Sequence, residues 1–211
     1  MRALFAADVM DTATVADWLS VQIIAPPALP LVRAGRSVAG QLALREIGCM
    51  LQAESAMDKL RQWLTACTES EVARTLQCRH TALFEGIFGY RSLPPYASSW
   101  DGTGHLFGEA AGRMKEILRR IDCRVADHYR EPPDHLGVQL AALAQALRVQ
   151  DDDVVHALSS ELRWVEPFAR ALIQADENGF YEHYASLLMS FVDGMRDLGQ
   201  DPVRAVDASV R

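Results

Sequence analysis

With 211 residues, 49% of them apolar, the chain has material for one large domain or two small lobes and a sizeable core. Its formal net charge of −7 argues against a nucleic-acid binder, and its densest cationic stretch, residues 113–124, reads as one helix face. The acidity suits a basic partner such as an arginine-bearing peptide, and equally serves solubility alone.

After Met1-Arg2 the apolar run 3–7 is cut off by Asp8, and Asp11 follows, so a secretory leader is not expected. No stretch reaches the ~18 to 20 apolar residues that span a bilayer. The expectation is a cytoplasmic protein.

Helical periodicity then dominates the chain. Thr12 or Thr14 is placed to cap a first helix carrying Val15, Trp18, Leu19 and Ile23, which Pro26, Pro27 and Pro30 stop. Helices are expected over about 38–50 and 55–67. Thr68 with Glu71 forms a capping-box pattern for a fourth, ending near Phe88. A break over residues 89–104 is rich in glycine, proline and aromatics, and loops of such length tend to be functional. Residues 105–121 resume helix, and a second proline-bearing break covers 129–134.

Beyond it, Leu136, Leu140, Leu143, Ala144 and Leu147 share one helical face. Residues 151–153 open another helix with acids where the dipole favours them, and Pro167 is tolerated in the first turn of a further one. Asn178-Gly179 reads as a turn. The last helix, 180–198, carries Tyr184, Leu187, Leu188, Phe191 and Met195 and ends before Pro202. The fold class is therefore all-α: a single helical domain of about nine to ten helices with a proline-bearing hinge. That hinge, at 131–133, would separate lobes 1–130 and 134–211.

Cys49, Cys67, Cys78 and Cys123 form no C-x-x-C pair, so reduced thiols are expected, with Cys49 and Cys123 as small core residues. Neither a metal nor a cofactor is expected, and no zinc-protease, nucleophile-elbow or phosphate-loop motif occurs. An acid–base pair of Asp134 and His135 would be half of a triad without a nucleophile in a recognisable setting.

Two segments invite a binding reading. In Glu131-Pro132-Pro133-Asp134-His135, the prolines fix an extended entry and Asp134 can cap the helix that follows. Alternatively, Asp134 and His135 share a surface ledge where the carboxylate meets an arginine. In Leu93-Pro94-Pro95-Tyr96-Ala97-Ser98-Ser99-Trp100, the rings either plug the loop onto the domain or present amphipathic surface to a peptide. Leu83 and Phe84 would extend that surface, or be ordinary core.

These segments resemble motifs of the TorD/DmsD family of redox-enzyme maturation chaperones. The segment 94–100 is similar to that family's P-P-Y-E-S-x-Y, with Ala97 and Trp100 as departures. Residues 131–135 resemble its E-P-x-D-H hinge motif, and Gln139 stands where many members have a glutamate. Leu83-Phe84, Trp164 with Phe168, and Phe180-Tyr181 fall where the family carries comparable residues. The resemblance implies a chaperone, not an enzyme, that binds the twin-arginine signal peptide or precursor of a molybdopterin-containing oxidoreductase until its cofactor is inserted. It implies Leu83, Phe84, Pro95, Tyr96, Ser98, Trp100, Asp134 and His135 as peptide-binding residues, and Glu131, Pro132 and Pro133 as the hinge. A monomer or a domain-swapped dimer fits such a hinge. The rival readings are a small helical enzyme using Asp134 and His135, or a structural interaction module.

Overall fold

The computed structural model describes residues 9–85, 92–100, 108–122 and 131–199, with residues 197–199 described by their backbone alone. Among them every regular element is helical. In chain order these are α1 (Val9–Ile24), α2 (Leu29–Arg36), α3 (Val38–Met50), α4 (Glu54–Thr65) and α5 (Glu69–Phe84). There follow a single turn α6 (Ala97–Trp100), then α7 (Glu109–Arg120), α8 (Leu136–Val149), α9 (Asp152–Glu161), α10 (Val165–Ala175) and α11 (Phe180–Gly199). A 3-10 turn, Leu162–Trp164, joins α9 to α10.

Local chemistry sets most boundaries. The capping box forms as its spacing suggests: Thr68 accepts from the Glu71 backbone, while the Glu71 carboxylate accepts from the Thr68 backbone. Asp151 caps α9 by accepting from Val154 N–H at 3.0 Å. At the end of α8, Gln150 takes the left-handed conformation, φ 56°, that closes a helix C-terminus.

Three expectations need correction. The proline-rich stretch is not a plain break: Pro30 sits in the first turn of α2, where its missing N–H costs nothing. Neither Thr12 nor Thr14 caps α1, which is already helical at Val9 and buries Thr12 within its length. Cys49 is exposed rather than core, as are Cys67 and Cys78; Cys123 lies outside the described residues. The expected end of the fourth helix near Phe88 also falls outside them.

One core runs through the described residues. Its largest helix pairing is α1 along α8, with α11 packed against both α10 and α4. Leu19 and Ile23 of α1, and Leu140 and Leu143 of α8, are completely buried. Each such side chain is worth about 1.5–3 kcal/mol of burial. The chain before residue 131 and the chain after it therefore complete each other's core. Among the described residues no helix is long and apolar enough to cross a membrane.

Candidate functional site

The two proline-bearing segments, 35 or so residues apart in sequence, are laid side by side and hydrogen-bonded together. Tyr96 and His135 form an isolated antiparallel bridge. Leu136 N–H donates to Pro95 O at 2.8 Å and Ala97 N–H to Asp134 O at 3.1 Å. Ser98 N–H donates to the Asp134 carboxylate at 3.0 Å, and the Tyr96 hydroxyl donates to the Glu131 carboxylate. The Tyr96 ring meets the His135 ring edge-on at 5.3 Å. Proline contributes differently on the two sides: Pro94-Pro95 favours an extended backbone, while Pro133 and Asp134 form a turn closed by His135 N–H on Pro132 O at 3.1 Å.

The cap of α8 is His135, whose Nδ1 accepts Gly137 N–H at 3.0 Å; the expected cap, Asp134, serves the other segment instead. Helix α1 closes over this junction. Ser20 donates to Gly137 O at 2.7 Å, and a Cβ on Gly137 would sit 2.8 Å from Ile24, so the close approach requires glycine.

Burial overturns the surface ledge. Asp134 exposes 0% of its surface and His135 4%, with Ser98, Pro95 and Pro132 also buried. Burial, with neighbouring His80 second, pulls the His135 imidazole down to about 4, so it is neutral near pH 7. Its Nδ1 accepts Gly137 N–H and one Asp134 oxygen accepts Ser98 N–H, while the other Asp134 oxygen is buried without a hydrogen-bond partner. At the rim, Tyr96, Trp100, Glu131 and Pro133 are half-buried.

Leu83 and Phe84 are core residues beneath this rim, 7% and 6% exposed. Phe84 packs edge-on against His80 at 4.9 Å and Tyr181 at 5.1 Å. Leu83 O accepts Leu93 N–H at 2.6 Å, which ties the incoming loop to α5. Trp100 donates its indole N–H to Pro94 O at 2.9 Å and meets Phe168 edge-on at 5.6 Å. Trp164 flanks Phe168 at 5.5 Å, and its N–H donates to Gln139 Oε1 at 3.0 Å. This supporting layer was partly missed from sequence. Trp164, Phe168 and Gln139 were each visible in the sequence, but not that they join beneath Trp100. Among the described residues no group of three or more His, Cys, Asp or Glu side chains is placed to hold a metal ion.

Residues 51–193 match the family model described as nitrate reductase delta subunit. The chain belongs to this family, that of the TorD/DmsD maturation chaperones. The Chaperone protein TorD of Shewanella oneidensis is 29% identical over 192 residues, spanning 78% of this chain and 88% of the relative. That of Aeromonas salmonicida is 31% identical, spanning 70% of this chain and 75% of the relative. That of Vibrio cholerae is 32% identical over 48% of this chain, which spans about half, 52%, of that relative's length. A crystal structure of a redox enzyme maturation protein from Archaeoglobus fulgidus shares this helical fold with a TM-score of 0.50 at 20% identity. That superposition covers 88% of this chain and 93% of the other.

Proposed function

We propose that this chain is a cytoplasmic chaperone that binds the twin-arginine signal peptide of a molybdopterin-containing oxidoreductase, or its precursor, and delays export until the cofactor is inserted. The observation that carries this reading is the locking of the two proline-bearing segments into one platform, with Tyr96 and Trp100 at its rim. Rigid half-covered aromatic rings suit the capture of an apolar peptide segment, because little side-chain entropy is lost on binding. Membership of the TorD/DmsD family and the chain's net charge of −7 support the same partner.

In this mechanism the leader's apolar stretch lies on Tyr96 and Trp100, which Leu83 and Phe84 support from below. Pro95, Ser98, Asp134 and His135 position the platform through its internal bonds. No bond is made or broken in the client. Residues 131–133 are the point at which the platform would open, and at which two copies would exchange their last four helices in a swapped dimer.

The test is a calorimetric titration of the chain with a synthetic twin-arginine leader and with the same peptide carrying lysines in place of both arginines. Saturable binding of the first, at least tenfold tighter than the second, is the expected result. Absence of binding to either peptide contradicts the proposal.

A further inference from the structure

We propose that Glu131, and not Asp134, is the carboxylate that meets the leader's arginine pair, and that the arginine takes the place of the Tyr96 hydroxyl on it. This rests on the function proposed above and assigns its specificity-determining residue.

The argument begins by elimination. The segments 94–100 and 131–135 contain two carboxylates, Asp134 and Glu131. Asp134 is wholly buried, and one of its oxygens is committed to Ser98 N–H. Its own backbone carbonyl takes Ala97 N–H, and the next residue but one, Leu136, bonds Pro95 O. The other carboxylate oxygen of Asp134 has no hydrogen-bond partner but is buried, so a guanidinium could reach it only by opening the junction that these bonds hold together. His135 offers no charge, and its Nδ1 is engaged in capping α8.

Glu131 differs in each respect. It is half-buried at the rim, beside the ring of Tyr96 that the apolar stretch would cover. Its partner is a neutral phenol, bound through one oxygen, Oε2. Among the described residues no lysine or arginine forms an ion pair with it. A carboxylate prefers the planar fork of a guanidinium, which bonds both oxygens and adds charge, over a single neutral hydroxyl. The Tyr96 bond thus holds Glu131 in place until the arginine arrives, and the displaced hydroxyl turns to solvent.

The experiment is a calorimetric cycle on the full chain with an Arg-Arg leader peptide and its Gln-Gln counterpart. Glu131→Gln should weaken the Arg-Arg peptide roughly ten- to a hundredfold and leave the Gln-Gln peptide unchanged. Tyr96→Phe removes the same internal bond but keeps ring and carboxylate, so it should bind Arg-Arg at least as tightly as the wild type. Glu85→Gln, losing an equal charge at the end of α5, should stay within twofold of the wild type. If Glu131→Gln and Tyr96→Phe weaken binding alike, the bond is only structural and the inference fails. If Glu131→Gln loses affinity equally for both peptides, or loses none, the inference fails while the proposed function stands. A wild-type chain that binds no Arg-Arg peptide overturns both.

Discussion

The carboxylate of Asp134 accepts the backbone N–H of Ser98 at 3.0 Å, and neither residue exposes any surface. An acid that looks in sequence like a contact for a partner is thus a strut between two loops. Its work is to hold Pro95, Tyr96 and Ala97 against the start of α8, and so to fix the direction in which Tyr96 points.

Removing that strut should cost stability. Asp134→Ala leaves the Ser98 N–H buried without an acceptor, a loss of about 1–3 kcal/mol. Asp134→Asn keeps an oxygen in place and should lose clearly less. Urea denaturation of the three proteins measures this, and equal stabilities for alanine and wild type would contradict the role.

Gln139 performs the matching task under Trp100. Its side-chain oxygen takes the indole N–H of Trp164, which packs on Phe168, which in turn supports the Trp100 ring. Gln139→Leu should cost about 1–3 kcal/mol by stranding that N–H. It should also change the near-ultraviolet circular dichroism of the tryptophans. An unchanged spectrum and unchanged stability would mean that the layer does not transmit support.

Acid should destabilise the fold through His135. Its folded-state value is about 4 against an ordinary 6.5, because burial disfavours the charged ring. The unfolded chain therefore takes up the proton first as pH falls. The contribution of neutral His135 is complete above about 6.5 and is lost progressively toward 4. His80 and His183, also lowered by burial, act in the same direction, while Asp176, raised by burial, offsets part of the loss. His135→Asn, which can still cap α8, should flatten the fall in unfolding free energy between about pH 7 and 5. A mutant slope equal to the wild type's would remove His135 from the account.

Much of this fold was legible because helices announce themselves locally. The Thr68–Glu71 box, the apolar face of α8 and the acidic start of α9 all depend on residues within a turn of one another. What escaped depends on the tertiary surroundings. Pro30 both ends a run and begins a helix, and only the path of the chain decides between them. Asp134 is the cap that the sequence suggests, yet the cap is His135, because Ser98, 36 residues away, claims the acid. The two motif segments come together in the fold, yet which of their residues face solvent was not readable. Leu83, Phe84, Asp134 and His135 are interior, while Tyr96, Trp100 and Glu131 reach the rim.

The central claim is that the joined segments 92–100 and 131–137 form the surface that receives a twin-arginine leader. Amide hydrogen exchange of the full chain, followed by mass spectrometry with and without saturating leader peptide, tests it most directly. Slower exchange is predicted in peptides covering these two segments, with no comparable change in α3 or α9. Protection confined to other helices, with both segments exchanging as in the free protein, would contradict it.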